Sequence, residues 1–465
     1  MNGPTPDWEA LTAQADELLH RLFPICRSIT GNGLRKTLAL LGEVTPFDLQ
    51  EVPSGSACYD WVVPDEWNVR DAFVADSRGQ RVIDFQANNL HLVNYSIPFE
   101  GKLTFDELKA HLHTLPKAPR AIPYRTAYYN RTWGFCLTQE QFDVLEKANL
   151  EKADTYQVVV DTTLGPGALT YGEACLPGSS GQEFLVSTYA CHPSLANDNL
   201  SGIVLWTLLL RDLRRQTLRH SYRFVIAPET IGALAYISRN EAAVRALTGG
   251  FVVTSVAGPG LNGYKPTWRG DSLIDRAVRL TFKELGLEPP KSTEYPFLIH
   301  GSDERQYSSP GLRIPVGTIC KDKYSAYDNY HTSLDNLEFI SASNLVETLK
   351  LYWLTLEKLE QNRIYRSLNP IGEPMLGKRS LYRQVGGSIM QKAADAARPS
   401  KRRPRVKDEN GPDEKELSAM LWVLFYADGQ TPLLEVAEKT GLPMHQLSEV
   451  AEKLAAHKLL EIVGA

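Results

Sequence analysis

Apolar positions recur at helical spacing over 9–22, where Leu11, Ala15, Leu18, Leu19 and Leu22 share one face. The run Ser28-Ile-Thr-Gly-Asn-Gly33 breaks that pattern, 34–41 resumes it, and 47–52 reads as a strand. From about 58 to 149 the texture changes. Trp, Tyr and Pro become frequent, and short alternating strands stand at 72–76 and 81–85. This predicts a small β-rich domain inserted into a larger one. From 156 onward strand and helix alternate. Strands are predicted at 156–160, 172–176, 183–189, 222–227, 251–256 and 314–319, with helices at 201–213, 231–240, 273–285 and 341–361. The alternation predicts an α/β fold, with a mixed, largely parallel sheet covered by helices. Such sheets take ligands beyond the carboxyl ends of their strands.

After 364 the periodicity fades, and 391–413 is polar with a basic run, Lys401-Arg-Arg-Pro-Arg-Val-Lys407. This stretch reads as a linker. Three short helices follow at 414–427, 432–439 and 444–457. The turn Thr440-Gly-Leu-Pro443 between the last two gives the helix-turn-helix pattern of a winged helix. The predicted layout is a catalytic domain of 1–57 plus 150–375, an inserted β-rich domain of 58–149, a linker of 376–412 and a winged helix of 413–465.

Composition narrows the class. A chain of 465 residues exceeds one ordinary core, and 43% hydrophobic with 23% charged residues is globular and soluble. The net charge of −5 argues against a dominant nucleic-acid surface. No apolar run reaches the roughly 20 residues of a membrane helix, and no secretory signal stands at the N-terminus. Six scattered cysteines without a CxxC pair fit a reduced, cytoplasmic protein.

The chemistry gathers at strand ends. His192 and Asp198 lie six positions apart in a loop rich in small residues, Cys191-His-Pro-Ser-Leu-Ala-Asn-Asp-Asn-Leu-Ser-Gly202. Such a loop can turn both side chains toward one divalent metal. Glu229 and His331 stand beyond other strands and could complete a hydrolytic site, which needs nitrogen or oxygen ligands, a water position and a base. Asp303 and Asp335 read as supporting groups behind the ligands, and Glu304 as an extra ligand or a substrate-amine anchor. Tyr327 and Tyr330 read either as oxyanion-stabilising phenols or as packing. The inserted run carries Tyr124, Arg125, Tyr128, Tyr129, Arg131 and Trp133. These could wall a substrate pocket, with an arginine pairing an anion, or fill a small domain's core; both readings stay open. His111 and His113 read as surface residues of a helix. The winged helix is rich in acids, so a protein-interaction or dimerisation role is favoured over duplex DNA.

Four blocks in this order resemble the zinc aminopeptidase superfamily of bacterial leucyl aminopeptidases and glutaminyl cyclases. They are His192–Gly202, Pro228-Glu-Thr-Ile-Gly232, Gly301-Ser-Asp-Glu304 with Gly311-Leu-Arg-Ile-Pro-Val316, and His331-Thr-Ser-Leu-Asp335. The inserted domain and winged helix resemble the bacterial aminopeptidase-like domain proteins. The resemblance implies His192, Asp198 and His331 as zinc ligands, Glu229 as general base and a cis peptide at Asp198–Asn199. Two departures stand out. The superfamily's zinc-binding acid after the base is Thr230 here, and 252–258 lacks the aspartate of two-zinc members. The expectation is therefore one zinc per chain and hydrolysis of amide bonds in a small peptide or aminoacyl-type substrate. A variant makes Glu229 itself a ligand. The alternatives are a ligand-sensing or interaction protein with a degenerate peptidase fold, and a single-zinc cyclase or acyltransferase.

Overall fold

The structure is a computed structural model that describes residues 1, 3–151, 155–298, 300–382 and 414–464. The basic run 401–407 and most of the expected linker lie outside the described residues. The chain forms two compact units, Met1–Leu354 and Thr355–Ala465.

The first unit is built on an eight-stranded sheet. Its centre is four parallel strands in the spatial order Ser221–Ala227, Glu183–Tyr189, Gly249–Val253, Val316–Lys321. Antiparallel pairings extend both sides, to Ala168–Leu176 and then Asp48–Pro53 at one and to Asn262–Lys265 at the other, where Ser292–Glu294 adds a parallel edge strand. The central strands are near-continuous apolar runs because both their faces are covered. Val186, for example, lies opposite Phe224 on one neighbour and Phe251 on the other, and all three are fully buried.

The helix Ser201–Leu213 is apolar nearly all round, and every residue but Arg211 is buried. A helix of that composition belongs in a core. Its Trp206 indole donates to the Val186 carbonyl at 3.0 Å, which fixes the helix against the parallel strand that carries the site loop.

The inserted region has its own four-stranded antiparallel sheet, Arg81–Asp84, Glu66–Ala75, Thr155–Gly165, Phe99–Thr104. The strand Thr155–Gly165 pairs on both its edges within this sheet, so the sheet reaches past position 149. Trp133 stacks between His111 at 3.7 Å and Phe99 at 4.3 Å. It is core, and His111 and His113 stand at a short strand, Leu112–His113, rather than on a helix.

The second unit holds the helices Glu414–Tyr426, Leu433–Thr440 and Met444–Ala456 and a three-stranded antiparallel sheet. Gly441, at φ +70°, closes the middle helix by donating its N–H to Ala437 O at 2.9 Å. The central strand of the sheet is Ile364–Ser367, paired with Asp428–Pro432 and Leu460–Gly464. The sheet therefore begins well upstream of 413, in a segment too short and polar to announce itself by period. Among the described residues no helix is long and apolar enough to cross a membrane.

Candidate metal centre

The parallel register sets the site. Tyr189 lies opposite Ala227, so two neighbouring strands end level with one another. His192 lies three residues past one end and Glu229 two past the other, which brings His192 Nε2 to 3.7 Å from Glu229 Oε2.

Asp198 is carried back to the same place by a tightly pinned loop. Asp335, fully buried, accepts the Asn197 N–H at 2.6 Å and the Asp198 N–H at 3.0 Å. The Tyr189 hydroxyl donates to Asp198 Oδ1 at 2.6 Å. The Asp198–Asn199 peptide is cis, as the resemblance implied. Gly202 is required here, since a Cβ would collide with the Asn199 side chain. His331 arrives from the far loop in a left-handed conformation, φ +56°, and the Tyr124 N–H holds its carbonyl at 2.8 Å. Its Nε2 lies 3.0 Å from Asp198 Oδ2.

One donor atom from each of His192, Asp198 and His331 lies within 4.8 Å of the other two. Asp198 Oδ2 and His331 Nε2 are close without hydrogen-bond geometry, and both lack a hydrogen-bond partner, as does His192 Nδ1. Buried polar atoms without partners are rare and costly. Two imidazoles and one carboxylate converging with free lone pairs fit a zinc that keeps a fourth position open.

Electrostatics follow from burial and neighbours. Burial pulls the His192 imidazole down to about 4, helped by His331 and Arg27, which leaves it neutral and able to ligate at pH 7. Burial opposes ionisation of Asp198, but His192, His331 and Tyr189 outweigh it and hold the carboxyl at about 2. Glu229 is pushed well above the usual carboxylate range by burial, then by Asp303 and Asp198. Burial also lifts Asp303 and Asp335 to about 7.

Glu229 stands beside the donors and is not one of them. The Ser302 hydroxyl donates to its Oε1 at 2.8 Å, leaving Oε2 facing His192. Asp303 accepts the Thr230 N–H at 2.7 Å and so fixes the turn after Glu229. The turn after Glu229 and the strand end near Tyr189 carry hydroxyls. Thr230 sits at φ +61°, and Thr254 Oγ1 lies 2.7 Å from the Tyr189 hydroxyl.

The outer residues divide. Tyr330 stacks on the His331 imidazole at 3.9 Å, and Tyr327 donates its hydroxyl to Asp335 at 3.1 Å, behind the ligands. Glu304 is only 1% exposed and lies outside the His192–Asp198–His331 group; its Oε1 is held by Lys265 and the Tyr324 hydroxyl, while its Oε2 has no hydrogen-bond partner. Arg125, Tyr129 and Arg131 face other groups. Arg125 reaches His113 at 3.3 Å, Tyr129 donates to Val62 O at 2.9 Å, and Arg131 lies 3.9 Å from Asp65. All three are exposed.

The same run does reach the centre through Tyr124. Its ring meets His192 at 5.3 Å and His331 at 5.2 Å, both edge to face, and its hydroxyl lies 3.1 Å from that of Tyr128. Sequence reasoning did not single out Tyr189, Ser302 or Arg27. Tyr189 is the one polar-tipped ring at the end of an apolar strand, and Ser302 lies inside a block that was read for its acids. Arg27 offered no signal. It is 1% exposed and holds the site loop by donating to His192 O at 2.9 Å and Leu22 O at 2.8 Å, and backbone carbonyls leave no trace in sequence.

Comparison with known proteins bears on this arrangement. Residues 16–362 match a family described as a domain of unknown function, DUF4910, and 405–462 match a winged helix-turn-helix. A Clostridium acetobutylicum protein, named for polysaccharide biosynthesis and an aminopeptidase-like domain, is 42% identical over 446 residues, 96% of this chain and 95% of its own. A solved C. acetobutylicum structure, named as a peptidase, has a TM-score of 0.86 at 40% identity, covering 98% of each chain. A zinc aminopeptidase from Bacillus subtilis shares the fold, with a TM-score of 0.53 at 13% identity over 76% of this chain and 95% of its own. The chain belongs to the DUF4910 family of aminopeptidase-like domain proteins that carry a winged helix-turn-helix.

Proposed function

We propose that the protein is a zinc-dependent hydrolase of amide bonds, acting on a small peptide or aminoacyl-type substrate. The observation that carries this reading is the meeting of His192, Asp198 and His331 with Glu229 Oε2 poised 3.7 Å from His192. His192, Asp198 and His331 would hold one zinc. Bound there, zinc supplies Lewis acidity toward a water and a carbonyl oxygen.

The chain's own residues supply the rest. Glu229 takes the proton of the attacking water on Oε2, while Ser302 keeps Oε1 occupied and the carboxylate oriented. Its raised proton affinity suits it both to accept that proton and to return it to the leaving amine. Tyr124 and Tyr330 pack on the imidazoles and restrict water around them. The name of the C. acetobutylicum relative makes amide-bearing saccharides, beside aminoacyl amides, the first substrates to try.

The winged helix is read as a protein-interaction or dimerisation module. Its second helix-turn-helix element, Met444–Ala456, exposes Glu449 and Glu452, and Lys453 is paired with Glu416 at 2.6 Å. An acidic outward face suits a protein partner better than duplex DNA. The test of the hydrolase is release of free amine from such amides by the zinc-loaded protein and by Glu229→Gln. Turnover by the parent that is lost in the variant supports the reading; equal turnover in both refutes it.

A further inference from the structure

A second charged cluster lies beside the centre. The segment 300–304 delivers Ser302 to Glu229, and the segment 322–331 delivers His331. Where they meet, two lysines and one carboxylate are buried. Lys265 and Glu304 form an ion pair, each 1% exposed, and the Tyr324 hydroxyl lies 2.5 Å from Lys265 Nζ and 2.8 Å from Glu304 Oε1. Glu304 Oε1 also accepts the Ser302 N–H at 3.1 Å, so the cluster is wired to the segment that holds Glu229. The cluster packs directly on Gly301: a Cβ there would crowd Glu304 Oε1, Lys265 Nζ and the Tyr324 hydroxyl.

Lys323 is the unbalanced member. It is 7% exposed, and its ammonium lies over the rings of Tyr324 and Tyr295 at 5.0 and 5.7 Å. Among the described residues no carboxylate lies within 4 Å of it. None of the neighbouring acids pairs with it: Glu304 gives its Oε1 to Lys265 and acts on Lys323 only from beyond ion-pair distance, Glu347 pairs with Lys321 at 2.9 Å, and Asp322 accepts the Gly260 N–H at 2.7 Å. Aromatic faces offset part of the desolvation of an ammonium, but a nearly buried charge without a counter-ion still favours an incoming anion. Lys323 also follows the strand Val316–Lys321 at its carboxyl end, the side on which His192 and Glu229 stand.

We propose that Lys323, backed by the Lys265–Glu304–Tyr324 cluster, is an oxyanion-binding subsite at the rim of the centre, taking a carboxylate or phosphate group. This rests on the hydrolase reading only in assigning that group to the substrate. The subsite itself is tested on metal-free protein, where no catalysis enters.

Sulfate and acetate, at up to about 10 mM with ionic strength held by sodium chloride, are titrated calorimetrically into the parent, Lys323→Met and Lys323→Arg. One of the two anions is expected to bind the parent and Lys323→Arg. It should bind Lys323→Met at least about tenfold more weakly, the scale of one charge-assisted hydrogen bond. Sulfate preference assigns a phosphate-type group and acetate preference a carboxylate. Equal binding by Lys323→Met, or no binding by the parent, overturns the subsite and leaves the hydrolase reading untouched.

Discussion

The two sides of the centre are built from different chemistry. On one, His192, Asp198 and His331 converge with unpartnered donor atoms. On the other, Thr230 and Thr254 present hydroxyls and no carboxylate, and Thr254 Oγ1 lies 2.7 Å from the Tyr189 hydroxyl. The loops around both sides are pinned equally well. The difference therefore lies in charge and not in order. A lone divalent ion needs few anionic ligands, whereas a second ion close by would bring two more positive charges with no carboxylate to offset them. Arg27 adds a buried positive charge behind His192.

Four changes break or sharpen this contrast, from the largest effect to the smallest. Glu229→Gln should lower turnover by about 10²–10⁴, the usual worth of a general base, while zinc content is unchanged. Amine release and metal analysis on the same sample check it, and loss of both would make Glu229 a ligand after all. Arg27→Met strips the partner from two buried carbonyls and should cost about 2–4 kcal/mol of stability. Denaturant unfolding reads that cost.

Asp335→Asn places an amide N–H₂ against one of two backbone N–H donors, so the Asp198 loop loosens. Zinc affinity should fall by about 10–100-fold, as for other groups that orient ligands. Competition with a chromophoric chelator measures it; an unchanged affinity would mean that Asp335 serves folding alone.

The smallest effect is in stability against pH. The folded Glu229 carboxyl keeps its proton to higher pH than the unfolded one, whose ordinary value is 4.5. The folded state then binds more protons above pH 4.5, and stability falls as pH rises. Glutamine does not titrate. Metal-free Glu229→Gln should therefore be more stable than the parent at pH 8, and the gap should close toward pH 4.5. Thermal unfolding at the two pH values decides, and a gap that widens in acid would contradict the assigned environment.

The sequence was most legible where function depends on spacing along the chain. The α/β alternation shows in the period of apolar positions, and the donors His192, Asp198 and His331 and the cis peptide at Asp198–Asn199 follow from the resemblance carried by short blocks. It was least legible where a side chain answers to something distant in sequence. Glu304 reads as an available acid until Lys265, 39 positions away, is seen to hold it. The run from Tyr124 to Trp133 reads as pocket wall or domain core alike, yet the structure divides it: Tyr124 meets the imidazoles, Trp133 is core, and Arg125, Tyr129 and Arg131 are at the surface. The strand Ile364–Ser367 was lost because four residues are too few to carry a period, and only pairing with two later strands defines them.

The central claim is that one side of the centre holds metal and the other does not. The direct measurement is the number of tightly held zinc ions per chain after loading and exhaustive dialysis. The account predicts close to one for the parent and close to none for His331→Ala. Close to two in the parent would contradict it.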